Sequence, residues 1–145
     1  MKTRTARRHR RSGFSLAELM VVIVIIGLLA VMVVPNVMQK LFRGQMARAK
    51  ADITTIAGAI DEFTIANAGK YPETLEVLVQ EDETGHAYLR QERVPLDPWK
   101  NEYQYEPPSP GQKKYRLYSL GSDGEVGGEG DARDITLQDI LNNEI

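Results

Sequence analysis

Sixteen consecutive residues, Leu19 to Val34, carry no charged or polar side chain, and this run constrains the chain more than anything after it. Gly27 is its only interruption and Pro35 closes it. Counted from Phe14, the apolar segment holds 21 residues with one charge, Glu18. A hydrocarbon core about 30 Å thick takes roughly 20 helical residues to cross. The segment is long enough to span a bilayer, and no later stretch is. Six basic residues precede it (Lys2, Arg4, Arg7, Arg8, Arg10 and Arg11) and no acidic one does. Positive flanks stay cytoplasmic, which predicts an inside N-terminus and an outside remainder. A secretory signal peptide is the ordinary alternative. The apolar run is too long for that, and no small-x-small cleavage site follows it.

A charge inside a membrane helix costs on the order of 3 kcal/mol. Glu18 is therefore either a functional residue with a partner or a carboxylate at the interface that reaches back to water. Gly13-Phe14-Ser15-Leu16-Ala17-Glu18 resembles the processing site of type IV pilins and type II secretion pseudopilins. The resemblance implies a leader at residues 1–13, removed by a membrane-bound prepilin peptidase that cuts between Gly13 and Phe14 and then methylates the Phe14 amine. It also implies a partner for Glu18, the free amine of Phe14 on a neighbouring subunit in a filament. Gly27 and Pro35 are helix breakers. The resemblance lets them extend the helix locally during assembly; a plain proline kink is the simpler reading.

The formal charge of −2 hides an asymmetry. The leader holds 6 of the 18 basic residues and none of the 20 acidic ones, which leaves 12 against 20, a balance of −8, for the rest. An acidic exported part does not suit nucleic-acid binding, which neutralises phosphates with Lys and Arg. It suits a domain that takes up cations. There are no cysteines, so the head must rely on a core, a metal or assembly. The C-terminal disulfide of many type IV pilins is impossible here.

After Pro35 the helical pattern continues. Met46, Ala49, Ile53, Ile56, Ile60 and Phe63 are spaced 3, 4, 3, 4, 3, which is one face of an amphipathic helix. The reading is one helix from about Phe14 to Ala68, kinked near Pro35 and stopped at Asn67-Ala68-Gly69. Thr74 is expected to cap a short helix, Leu75 to Val79. Glu81 to His86 reads as a solvated loop, with no ligand role for His86. The prolines of Arg93 to Asn101 predict an ordered loop pinned by Trp99, the single tryptophan. This loop resembles that of major pseudopilins, with Lys100 where a glycine often stands. Glu102–Glu106 and Lys114–Leu120 alternate as a hairpin around Pro107–Gly111, packed through Tyr103, Tyr105, Tyr115 and Leu117. A third strand is expected near Ile135–Leu137. Leu137–Leu141 reads as a short amphipathic helix, a departure from major pseudopilins, which often end in an aromatic-containing strand.

Leu120 to Ile135 holds five glycines and five acids. Alone, such a loop is disordered; a hard cation with six to eight oxygen ligands would order it. The spacing does not match a twelve-residue EF-hand loop counted from Asp123, so solvated loop and Ca2+ site both stand on residues alone. The stretch resembles the calcium loop of major pseudopilins. Carried over, the resemblance implies side-chain ligands at Asp123 and Asp134 and a carbonyl ligand at Leu120. Asp131 and the carbonyl of Glu125 match less closely, because loop length varies. Glu129 stays solvated. The implied cofactor is a structural calcium ion.

The fold class is α+β and pilin-like: a long N-terminal helix, half membrane anchor and half amphipathic, packed on a small antiparallel sheet with a calcium-binding loop. The expected organisation is a leader (1–13), a transmembrane and assembly helix (14–35) and a periplasmic head (36–145). The resemblance implies the major subunit of a type II secretion pseudopilus, a single-pass inner-membrane protein that catalyses nothing. Its implied partners are copies of itself, minor pseudopilins, the prepilin peptidase, an inner-membrane assembly platform and membrane lipid, with no nucleic acid. A type IV pilus major pilin, for adhesion, motility or DNA uptake, is the alternative within the family. An anchored enzyme using Asp123, Asp131 and Asp134 as a metal centre is the alternative outside it, and it predicts a pocket beside the loop.

Overall fold

The computed structural model describes residues 13–82, 84–109, 111–112 and 114–143, without the side chains of Asn36 and Asp131. The basic leader up to Ser12, Glu83 and residues 144–145 lie outside the described residues. The chain divides into two compact units, Met1–Gln39 and Lys40–Ile145.

In the first unit, helix α1 (Leu16–Ala66) begins two residues after Phe14 and continues through Gly27 and Pro35. A Cβ added at Gly27 meets nothing within 4 Å, so no packing among the described residues requires glycine there. The apolar side chains from Leu19 to Val34 are exposed. Among the described residues, α1 is the one helix long and apolar enough to cross a membrane.

In the second unit, α1 presents the face expected from its spacing. Ala49, Ile53, Ile56 and Ile60 are buried, joined by Ala57 and Ala59 and flanked by Met46 and Phe63. β-branched residues lower helix propensity, and the threonines among them satisfy their hydroxyls on the helix backbone. Thr54, Thr55 and Thr64 each donate a hydroxyl to the carbonyl four residues back, at 2.8, 2.9 and 2.7 Å. Ala68 and Gly69, at φ 54° and 85°, turn the chain out of the helix, with the Gly69 N–H on the Thr64 carbonyl at 2.8 Å.

Leu75–Val79 is a 3-10 helix rather than a turn of α-helix, and Thr74 makes no side-chain cap. Leu75 and Leu78 are buried while Val79 is half-buried. Five residues are enough for the tighter helix to seat two leucines. Three strands follow: β1 (Gln104–Glu106), β2 (Arg116–Ser119) and β3 (Ile135–Thr136). They form one antiparallel sheet in the order β1-β2-β3, with Tyr105 opposite Leu117 and Ser119 opposite Ile135. Helix α2 (Leu137–Asn142) packs beside β2 and β3. Its start is capped by the Thr136 hydroxyl, which accepts from the Asp139 N–H at 3.1 Å. Asn143, at φ 57°, ends it. The loop between β2 and β3 is the acidic, glycine-rich stretch, so the sheet fixes both of its ends.

Candidate functional site

Two regions carry the residues singled out in the sequence. At the N-terminal one, Gly13 and Phe14 precede the helix and are exposed. Ser15 and Glu18 cap the helix reciprocally. The Ser15 hydroxyl oxygen accepts from the Ala17 N–H at 3.2 Å, and Glu18 Oε2 accepts from the Ser15 N–H at 2.9 Å. Ser-x-x-Glu is the sequence form of such a capping box. In the single chain the carboxylate thus satisfies a backbone donor that the first helical turn leaves free. Glu18 borders a surface depression with Phe14, Ala17, Val21 and Val22.

The second region is the loop from Leu120 to Asp134. Leu120 follows β2 directly and is half-buried, while Asp123 and Glu125 are exposed. Asp123 Oδ1 accepts from the Glu125 N–H at 3.2 Å, which sets a local turn. At the far end the Gly127 N–H donates to Asp134 Oδ2 at 3.0 Å and the Asp134 N–H donates to the Gly127 carbonyl at 3.1 Å. The loop therefore doubles back on itself. Two glycines make this possible. A Cβ at Gly121, φ 69°, would stand 2.7 Å from the Arg133 carbonyl oxygen, and one at Gly128, φ 80°, would collide with the Ala132 carbonyl. Asp134 Oδ1 is buried and has no hydrogen-bond partner among the described residues. A carboxylate oxygen only accepts, and a buried one without a donor is uncommon. Among the described residues, no three His, Cys, Asp or Glu side chains converge. Asp131, whose side chain lies outside the described residues, sits in a 3-10 turn, Gly130–Ala132.

The proline-rich loop is part of this region, which the sequence did not reveal. Asp97 is only 3% exposed. Its Oδ1 accepts from the N–H groups of Trp99 and Asn101 at 3.0 and 2.8 Å, and its Oδ2 accepts from the Ser119 hydroxyl at 2.7 Å. The Ser119 oxygen in turn accepts from the Gly121 N–H at 3.2 Å, and Asn101 Nδ2 donates to the Gly121 carbonyl at 3.0 Å. Lys100 adopts φ 77°, so the lysine takes the left-handed conformation that glycine would favour. An Asp between two prolines was the available signal, but its partner Ser119 lies 22 residues on.

The remaining readings resolve simply. His86 pairs with Glu62 at 3.2 Å. Asp82 organises its loop by accepting from the Thr84 N–H and hydroxyl and from the His86 N–H; the Thr84 hydroxyl bond comes first among the causes that hold its carboxyl below the usual range. A cleft of about 1190 Å3 lies between α1, β2 and α2, lined in part by Asp61, Tyr71, Tyr115 and Leu141. No residue from Leu120 to Asp134 borders it.

A family model, type II secretion system (T2SS), protein G, matches residues 36–138. The chain belongs to the protein G family of the type II secretion system. A second model, the prokaryotic N-terminal methylation motif, matches residues 8–34. Among protein G relatives, the type II secretion system core protein G of Pseudomonas aeruginosa is 43% identical over 142 residues, covering 89% of this chain and 96% of the relative. That of Escherichia coli K12 is 39% identical over 134 residues, covering 84% and 89%. The crystal structure of the major pseudopilin from the type 2 secretion system of enterohaemorrhagic Escherichia coli superposes with a TM-score of 0.54 at 28% identity, covering 72% of this chain and 92% of that one. The long N-terminal helix and the small antiparallel sheet are the pseudopilin architecture.

Proposed function

We propose that this protein G family member is the major structural subunit of a type II secretion pseudopilus, assembling into a helical filament that supports protein export across the outer membrane. The observation that carries the reading is the union of two features in one chain. The protein G match spans residues 36–138, and ahead of it stands an apolar helical segment whose large side chains are exposed. Such a surface needs lipid before assembly and neighbouring copies after it. The match to protein G favours the secretion filament over a type IV pilus.

In this reading residues 1–13 are the leader, 14–35 the membrane and assembly helix, and 36–145 the periplasmic head. Prepilin peptidase cuts between Gly13 and Phe14 on the cytoplasmic side of the inner membrane. Assembly joins copies of the chain with minor pseudopilins on the inner-membrane platform. In cells that contain the peptidase, intact-mass analysis of membrane-extracted protein should show Phe14 as the first residue with one added methyl group. Sheared fractions should contain filaments of that same species. Protein still beginning at Met1, with secretion restored all the same, would overturn the reading.

We also infer that the loop from Leu120 to Asp134 takes a calcium ion. The buried Oδ1 of Asp134, without a hydrogen-bond partner among the described residues, supports this. Asp123 and Asp134 would supply carboxylate oxygens and Leu120 and Glu125 carbonyls, with Asp131 completing the set. A bound Ca2+ would offset the five acids of this loop, which contains a single basic residue, Arg133. A ligand that binds only the folded state at about a hundred times its dissociation constant adds roughly 2.7 kcal/mol.

A further inference from the structure

The calcium reading concerns residues 120–134. The hydrogen bonds around that loop reach further, to a turn about twenty residues earlier in the chain. Asp97 to Asn101 is closed on itself: the Asp97 N–H donates to the Asn101 carbonyl at 2.9 Å and the Lys100 N–H to the Asp97 carbonyl at 3.0 Å. Two of its polar side chains, Asp97 and Asn101, bond toward the start of the acidic loop. Asn101 Nδ2 holds the Gly121 carbonyl at 3.0 Å. The other end of the same amide, Oδ1, lies 3.3 Å from where a Cβ on Gly124 would stand. The Asn101 side chain therefore fills the inside of the turn from Gly121 to Gly124, the turn that carries Asp123. Asp97 reaches the same turn through the Ser119 hydroxyl, which accepts from the Gly121 N–H at 3.2 Å. Both backbone polar groups of Gly121, next to the Leu120 carbonyl, are thus fixed by the earlier turn.

We propose that the Asp97–Asn101 turn positions the cation loop, so that Asn101 and Asp97 set its affinity for a divalent cation without touching the ion. The inference rests on the calcium reading above. A site pays less ordering entropy when its ligands are already placed, and coupling between two groups is reciprocal. Occupancy of the loop accordingly stiffens the turn, and Trp99 sits in that turn with its N–H on Asp97 Oδ1 at 3.0 Å. As the one tryptophan of the chain, Trp99 reports on the coupling directly.

The test uses the full chain in detergent micelles, titrated with Ca2+ while Trp99 fluorescence and the thermal midpoint are followed. The wild-type chain should show a saturable fluorescence change whose midpoint gives Kd. Asn101→Ala should weaken Kd about tenfold or more, and should lower the midpoint more in Ca2+ than in chelator. Tyr105→Phe removes a comparable bond elsewhere in the head, to the Pro72 carbonyl at 2.9 Å. It should lower both midpoints alike and leave Kd unchanged. If Asn101→Ala does not fold, Asn101→Ser, whose hydroxyl is too short to reach Gly121, answers the same question. No binding to wild type by calorimetry overturns the calcium reading itself. Binding to wild type that Asn101→Ala or Asn101→Ser matches within twofold leaves the calcium reading intact and overturns the positioning role.

Discussion

Four of the six tyrosines are placed where their hydroxyls resist ionisation. Burial is the first cause for each. Tyr103 is raised further by Asp52, whose Oδ2 accepts its hydroxyl at 3.1 Å. Tyr115 is raised by Asp61, and Tyr118 by the carboxylate of Glu106. Tyr105 is pushed up to about 12, with Tyr71 adding to burial. A phenol whose folded pKa exceeds its unfolded value, about 10, favours the fold while it stays protonated. Its contribution is fully present below pH about 10 and is lost as pH rises through the folded pKa. In an alkaline ultraviolet titration, phenolate absorbance of the folded protein should lag well behind that of the denatured chain. It should then rise together with unfolding. Full ionisation of all six near pH 10, with the circular dichroism unchanged, would show that these hydroxyls are not held as described.

The elements test the sequence pattern itself. Ile56 and Ile65 lie on the same helix, but Ile56 is 0% exposed and Ile65 is 83% exposed. Ile56→Ala removes a core side chain and should cost about 2–5 kcal/mol; Ile65→Ala should change stability by no more than about 0.5 kcal/mol. Thermal unfolding of the two variants, followed by circular dichroism, checks both, and equal losses would mean the helix is rotated from the face described. That face was legible because a helix repeats every 3.6 residues and needs no partner to declare itself. The strands were legible only in part. Alternation marked Leu117 as inward, yet Tyr118 and Ser119 are buried as well. β2 is the central strand and α2 packs beside it, so it does not keep one face to water, and period-two reasoning assumes that it does. Thr74 looked like a cap because of its residue type, and its backbone is extended as a cap requires, yet its side chain makes no cap bond to the 3-10 helix that follows. The loop acids could be named in advance, whereas the Asp97–Ser119 bond could not. Its partners are brought together by the whole sheet and not by local chain.

At the scale of the whole molecule, the apolar segment and Glu18 belong to one argument. Burying Leu19 to Val34 among neighbouring copies takes a carboxylate out of water with it. An unpaired buried charge costs several kcal/mol, and removing one member of a buried pair costs about 3–5 kcal/mol because the other is left alone. Among the described residues Glu18 is bonded to the Ser15 N–H alone, a single neutral donor that does not balance a full charge in the membrane or a filament. The Phe14 amine of an adjacent processed subunit would compensate it and would fix the axial step between copies. Glu18→Ala should therefore insert into the membrane and keep the thermal midpoint of the head, yet yield about a hundredfold fewer filaments, since each 1.4 kcal/mol is a factor of ten in association. The variant also removes the local cap, and Ser15→Ala separates the two effects. It deletes the hydroxyl acceptor for the Ala17 N–H, 3.2 Å away, at a cost of about 1 kcal/mol, and keeps the carboxylate. Filament recovery near wild type for Ser15→Ala, with loss for Glu18→Ala, assigns the carboxylate to subunit register. Equal loss in both would reduce Glu18 to a helix cap, and normal yield from Glu18→Ala would remove it from assembly altogether.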